Sequence, residues 1–231
     1  MQTNCDPLEV QKFKQLANTW WDKNGACKPL HDLNPLRLAF ITQHTTLDKK
    51  AILDIGCGGG ILTESLATNA SVTGIDACVD VINVAKQHAG VQGLTIHYVA
   101  ATLEEYTQQS TQTFDIITCM ELLEHVPDPL SLIQHCRQLL KPEGHLFFST
   151  LNRNLKSYLF AILGAEYILQ LLPRGTHDYA KFIRPSELDA WCRHSGLRLQ
   201  HLKGIGYNFL NRQYYLQNNT DVNYLAHYQL L

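Results

Sequence analysis

Two rhythms of hydrophobic residues alternate along this chain. Short unbroken apolar runs give way to stretches in which apolar side chains recur every three or four positions. Ala51 to Ile55 is a run of the first kind, suited to a strand covered on both faces. Ile61 to Ala67 continues at helical spacing. The pair then repeats. Ser71 to Ile75 reads as a strand and Asp80 to Ala89 as a helix burying Val81, Ile82, Val84 and Ala85. Strands at Leu94 to Val99 and Phe114 to Met120 precede a helix from Pro129 to Leu140, where Pro129 suits a first helical turn. Lys141-Pro-Glu-Gly144 predicts a turn into a fifth strand, His145 to Thr150. Alternation of this kind predicts an α/β fold, a doubly wound and mainly parallel sheet with helices on both faces.

The flanks differ in pattern. Val10, Phe13, Ala17, Trp20 and Trp21 have helical spacing, which predicts an N-terminal helical lid or a set of core anchors. A helix is expected to open at Pro185-Ser-Glu-Leu188, with strand-like segments near Leu197 to Lys203 and Gln213 to Tyr228. One domain is expected throughout: a lid over 1–45, a ligand-binding core over 46–150, an apolar insertion over 151–185 and a substrate-side part over 186–231.

Chemistry enters where the first strand ends. Gly56, Gly58, Gly59 and Gly60 allow the backbone to turn sharply and approach a ligand at a helix N-terminus. The second strand ends in Asp76, spaced to accept hydrogen bonds from two ribose hydroxyls. A dinucleotide fingerprint would want a third glycine where Ile61 stands, and Asp54 puts negative charge where a pyrophosphate would lie. A cationic, phosphate-free adenosine cofactor fits better, and S-adenosylmethionine is such a molecule.

Composition narrows the setting. The chain has 231 residues, 45% of them hydrophobic, and a net charge of −2, which gives no electrostatic footprint for nucleic acid. Seven cysteines without a C-x-x-C pair argue for a reducing compartment. Neither a signal peptide nor a transmembrane run is visible. A cytoplasmic protein is expected, with peripheral contact at the inner face of the membrane as an option.

These residues resemble the class I S-adenosylmethionine-dependent methyltransferases, and longer blocks narrow the likeness. Trp20-Trp21-Asp22, Lys28-Pro-Leu-His31 and Asn34-Pro-Leu-Arg37 precede Leu53-Asp-Ile-Gly-Cys-Gly-Gly-Gly60. Then come Cys119-Met-Glu-Leu-Leu-Glu-His-Val-Pro-Asp128, Ser149-Thr-Leu-Asn-Arg-Asn154 and Gly175-Thr-His-Asp178. This series is similar to the ubiquinone-biosynthesis O-methyltransferases over nearly the whole chain. The resemblance implies methylation of phenolic hydroxyls on polyprenylated rings, 2-polyprenyl-6-hydroxyphenol and 3-demethylubiquinol. It also implies cofactor contacts at Arg37, Gly56, Asp76 and Met120, with Asp54 and Gly58 beside them. Arg37 would clamp the methionine carboxylate, and Met120 would lie beside the sulfonium or adenine. The stretch Ala100-Ala-Thr-Leu103 lacks the acid that many methyltransferases use for the adenine amine.

A neutral phenol, with a pKa of about 10, needs a base or a metal to react at neutral pH. Glu121, Glu124 and His125 share one face if they occupy one helical turn. Three readings stand: His125 as general base tuned by a glutamate, the trio as ligands of a divalent cation, or packing alone. Manganese, iron or zinc would suit two carboxylates and an imidazole better than magnesium, which the family likeness points to. His177 is a second candidate for touching substrate. Between Ser157 and Leu172 the chain is almost wholly apolar and flanked by Arg153, Lys156, Arg174, Lys181 and Arg184. That stretch predicts contact with an anionic membrane surface, or else a buried hairpin. Partner proteins of the ubiquinone pathway are also implied. Competing expectations are an NAD-dependent oxidoreductase, a methyltransferase for another small lipophilic phenol, and a non-catalytic lipid-binding relative.

Overall fold

The structure, a computed structural model, describes residues 4–154, 157, 179–208 and 211–230. Its strands are β1 (Ala51–Ile55), β2 (Ser71–Asp76), β3 (His97–Ala100), β4 (Phe114–Met120) and β5 (Leu140–Leu151). After these come β6 (Leu197–Asn208), β7 (Gln213–Gln217) and β8 (Asn223–Leu230). They form one sheet in the order β3-β2-β1-β4-β5-β8-β6-β7. The first five run parallel, while β8, β6 and β7 add antiparallel ladders beyond β5. The mainly parallel sheet expected from the sequence is present. Because β2 and β4 lie on opposite sides of β1, a crevice opens outside the carboxyl ends of β1 and β4.

Among the described residues there are seven α-helices: α1 (Pro7–Leu16), which packs on α4, then α2 (Lys28–His44), α3 (Ile61–Leu66), α4 (Val79–Val91), α5 (Leu103–Gln109), α6 (Pro129–Leu139) and α7 (Pro185–His194). Two start from the same local chemistry. Asp6 and Asp128 each precede a proline and accept a hydrogen bond from a first-turn backbone N–H, on Leu8 and Ser131. Leu53 and Ile55 of β1 join a core layer completed by Leu132, Ile133 and Cys136 of α6 and Leu188 of α7. Ile52 points the other way, to Phe40 and Ile41 of α2 and to Phe147 and Leu225. Alternate residues of one buried strand thus feed both layers.

Three elements differ from the sequence expectation, each for a local reason. The third strand starts at His97 rather than Leu94, because the Leu94 N–H caps α4 by donating to the Ala89 carbonyl past Gly93. Lys141–Gly144 is no separate turn but a bulge within β5: the register with β4 shifts between Phe114 and Ile116. The segment Gln213 to Tyr228 divides into β7 and β8, and β8 inserts between β5 and β6. The apolar stretch Ser157 to Leu172, apart from Ser157 itself, and His177 lie outside the described residues. Among the described residues, no helix is long and apolar enough to cross a membrane.

At the sheet edge away from the crevice, Asp115 joins three elements. It accepts from the Ala51 N–H at 2.9 Å and from Lys141 at 2.8 Å, with Lys50 3.9 Å away. Burial works against its charge, but Lys141, the Ala51 N–H and Lys50 together hold its carboxyl below the usual range. Nearby, His227 lies flat on Phe147 with ring centres 4.4 Å apart. Burial, reinforced by the imidazoles of His145, His44 and His201, lowers the His227 pKa to about 3.

A carboxylate with a lowered folded-state pKa stabilises above its unfolded value, and that stabilisation is lost as pH falls through the folded value. Asp115→Asn should therefore cost about 1 kcal/mol at neutral pH. The difference from the parent should fade as pH falls below the ordinary aspartate value of about 3.9 and through the lowered folded-state pKa, as measured by urea unfolding across that range.

Candidate active site

The crevice is a cavity of about 1180 Å³, bounded below by the ends of β1, β2 and β4 and above by α1 and the Trp20 region. That exceeds the upper range for a single small-molecule site, about 1,000 Å³. Its floor is the glycine loop. Gly58 has φ +53° and Gly56 φ +67°, conformations in which a Cβ is strained. At Gly58 a Cβ would also come within 2.2 Å of the Trp20 ring. Trp20 is 95% buried there, and Trp21 donates its indole N–H to the Gly59 carbonyl at 2.9 Å. The two tryptophans both anchor the N-terminal segment and line or cover the loop.

Asp76 fastens that loop to the next strand. One carboxylate oxygen accepts from the Gly58 N–H at 3.0 Å and the other from the Cys78 N–H at 2.8 Å. The Cys57 N–H donates to the Ile75 carbonyl at 3.0 Å. Burial raises the Asp76 pKa, and the two N–H donors oppose that rise. Asp54 borders the cavity from beneath. Its oxygens accept from Thr63 at 2.6 Å and Thr118 at 2.7 Å, and burial pushes its carboxyl up to about 6. Through these two bonds Asp54 secures α3 to β4 while lining the cavity.

Arg37 is buried, not a surface arginine. Leu33, Arg37, Phe40 and Ile41 form the inward stripe of α2, and the guanidinium lies 3.3 Å from a Glu121 oxygen. Its Nε has no protein partner. Three other buried polar atoms on the cavity wall share that condition: Trp20 Nε1, Glu104 Oε1 and Asn223 Oδ1. Two donors and two acceptors left unpaired in a buried wall suit a polar ligand. Met120 ends β4 at the same wall.

Beyond Met120 the chain does not continue as the expected helical turn. The Glu121 N–H extends the sheet by donating to the Ser149 carbonyl at 2.9 Å, and Glu121 then adopts φ +52°. A single 3₁₀ turn, Leu123–His125, follows. Each of the three side chains has a partner outside the segment, while the carboxyls of Glu121 and Glu124 also meet each other. Glu121 Oε1 accepts from Arg37, from Ser149 at 2.8 Å and from Asn223 at 3.2 Å. Glu124 accepts from Thr150 at 2.7 Å, and His125 Nδ1 meets Glu9 at 2.9 Å. Among the described residues, no set of three His, Cys, Asp or Glu ligand atoms within 4.8 Å of one another includes any of them. The ligand atoms of Glu121, Glu124 and His125 therefore do not all lie within 4.8 Å of one another, although the carboxyls of Glu121 and Glu124 meet.

The three groups act on one another's charge. Burial alone would raise Glu121, but Arg37, Ser149 and Asn223 hold it down. Burial and the Glu121 charge together push Glu124 up. Burial disfavours a charged His125, yet Glu9, Glu124 and Glu121 outweigh it and raise its pKa. Glu9 is correspondingly lowered to about 2, chiefly by the His125 bond against the opposing effect of burial. Lys12 at 3.0 Å and Lys181 at 3.4 Å complete its surroundings. Sequence reading missed both Glu9 and Glu104. Glu9 lies 116 positions from His125, and the only local sign was a carboxylate among the apolar positions of α1. Glu104 sits just past the stretch in which an acid was sought.

A family described as a methyltransferase domain matches residues 26–202. The ubiquinone biosynthesis O-methyltransferase of Aromatoleum aromaticum is 56% identical over 228 residues, covering 98% of this chain and 97% of that protein. The chain belongs to the ubiquinone biosynthesis O-methyltransferase family. The Nitrosococcus oceani protein of the same name is 55% identical over 225 residues, covering 97% of this chain and 95% of its own. Among solved structures, the Synechocystis magnesium protoporphyrin IX methyltransferase with bound S-adenosylhomocysteine superimposes with a TM-score of 0.66. It covers 96% of this chain and 100% of its own at 15% identity, a likeness of fold. A Thermotoga maritima methyltransferase gives 0.65 at the same identity, covering 96% of this chain and 99% of its own.

Gly58→Ala combines a strained backbone with a collision against Trp20. It should cost about 2–4 kcal/mol, read as a lower denaturation midpoint at unchanged slope.

Proposed function

We propose that this chain transfers a methyl group from S-adenosylmethionine to a phenolic hydroxyl of a polyprenylated ring in ubiquinone biosynthesis. One observation carries the reading. A single cavity is shared by the Asp76 carboxylate, the unpaired Nε of Arg37, Met120 and the His125–Glu9 pair. The family relatives named above supply the substrate class.

When bound, S-adenosylmethionine supplies an electrophilic methyl on a sulfonium. Asp76 would accept the ribose hydroxyls, and Arg37 would take the methionine carboxylate with the donors that Glu121 leaves free. Glu104 Oε1 would accept from the adenine amine, the role for which the Ala100–Leu103 stretch has no acid. Deprotonation falls to His125. With Nδ1 held by Glu9, Nε2 would take the proton, and the Glu9 charge would stabilise the imidazolium that forms. The phenol oxygen loses its proton to Nε2 and attacks the methyl as the carbon–sulfur bond breaks. The products are an aryl methyl ether and S-adenosylhomocysteine. Glu121, kept anionic beside Arg37, would lie near the departing positive charge.

S-adenosylhomocysteine should raise the melting temperature and NADH should not. Asp76→Ala should weaken S-adenosylhomocysteine about 10–100-fold by calorimetry, through loss of charged hydrogen bonds. His125→Ala should lower turnover of a short-chain demethylated quinol about 10²–10⁴-fold with cofactor affinity retained. Unchanged turnover would remove His125 as the base. The sign of the pH effect follows from the groups facing His125, namely Glu9, Glu124 and Glu121. The base must be neutral, so activity rises with pH through the raised His125 pKa. Glu9→Gln should move that acid limb to lower pH while reducing kcat.

A polyprenyl tail resides in lipid, and the apolar stretch 157–172 with its basic flanks suits an anionic bilayer surface. Co-sedimentation with anionic vesicles should fall when residues 157–172 are removed; equal binding by both forms would discard this membrane contact.

A further inference from the structure

Four histidines gather at the sheet edge away from the cavity. His44 closes α2, His145 lies on β5, His201 on β6 and His227 on β8. The rings of His44 and His201 stack with centres 3.7 Å apart and planes 9° apart. His227 lies 5.4 Å from the first and 5.5 Å from the second, nearly parallel to both. One ring nitrogen from each of these three sits within 4.8 Å of the other two. The gathering comes from four elements that are far apart in sequence.

Hydrogen bonding then singles out one atom. His145 Nδ1 lies 2.9 Å from His227 Nε2, so a single proton is shared between them. That bond occupies Nε2 and leaves Nδ1 of His227 without a partner, in a residue 3% exposed. A buried polar atom without a partner is costly in a folded protein. When the shared proton sits on His227 Nε2, Nδ1 carries a lone pair. Among the described residues, no other set of three such side chains converges this closely.

We infer that His44, His201 and His227 form a binding site for a late first-row divalent ion of the zinc, nickel or copper kind, with His145 orienting His227 from outside the ligand set. Three imidazoles with no carboxylate select these ions over magnesium or calcium, which prefer oxygen donors. A ligating histidine usually holds its second nitrogen in a hydrogen bond, and His145 supplies that bond. His201 is exposed and His44 partly so, which gives an ion a path from solvent and lets these two rings turn off their stack. Lys203 beside His44 and Lys50 beside His145 are nearby positive groups, so an anionic fourth ligand such as hydroxide suits the open position. Four strand positions separate His145 from Ser149, which holds Glu121; that is about 13 Å. The ion would act as a clasp between α2, β6 and β8, apart from the reacting atoms.

The test uses the full chain, stripped by a chelator and then titrated with Zn²⁺ and with Co²⁺. One equivalent should bind at this site and raise the melting temperature. The Co²⁺ adduct should show visible bands of nitrogen ligation without a thiolate charge-transfer band, which excludes the cysteines. His201→Ala, at an exposed position that spares folding, should lose at least ~10-fold in affinity, and His145→Ala about 10–100-fold. His194→Ala, on the exposed face of α7, and His125→Ala should both keep the parent affinity. Binding by His201→Ala as tight as the parent's overturns the inference. So does an affinity that is lost with His125 and kept without His201.

Discussion

The molecule turns on one contact, the carboxylate of Asp76 accepting the N–H groups of Gly58 and Cys78. β1 and β2 are neighbours with no covalent reason for their loops to agree. The carboxylate supplies that reason, drawing the glycine loop and the start of α4 toward one point at the end of β2. Positive φ at Gly56 and Gly58 is what allows the loop to present N–H groups inward. Trp20 then lies on the surface that the missing side chains leave open. Sheet order sets the crevice, glycines set the loop, and the carboxylate gives the crevice a polar anchor.

A second line of charge runs from that anchor toward the chemistry. Arg37 and Glu121 form a buried pair, and such a pair stabilises only when its remaining polar atoms are also served. Glu121 is served by Ser149 and Asn223; Arg37 keeps Nε in reserve. The anion at Glu121 raises Glu124, and the anion at Glu9 raises His125. Neighbouring groups on one short segment are thereby pushed to different protonation states, as acid–base work at one pH requires.

Local features of the sequence carried much of this. β1 and β4 were readable to the residue because buried parallel strands are unbroken apolar runs. α6 was readable because Pro129 marks its start. Asp76 followed from spacing within one βα unit. What escaped depends on contacts remote in sequence. No pattern joins Glu9 to His125, or brings His44, His145, His201 and His227 to one edge. Where local rules misled, a local competitor won: sheet pairing by the Glu121 N–H displaced the helical turn expected over Glu121 to His125. At β5 the Lys141-Pro-Glu-Gly144 signal was read as a turn before the strand, but the ladder on each side absorbed it as a bulge.

The placement of Glu9 has a mechanical consequence. α1 is a wall of the cavity, and it carries the carboxylate that orients and charges His125, while Phe13 of the same helix meets that imidazole edge-on at 5.3 Å. Lys181 ties Glu9 and Asp6 to the chain that follows the apolar stretch. Glu9, Phe13 and Lys181 thus hold α1 against the turn that follows β4 and against the segment before α7, so the contacts that wall the cavity on this side are the same ones that set the position and charge of His125.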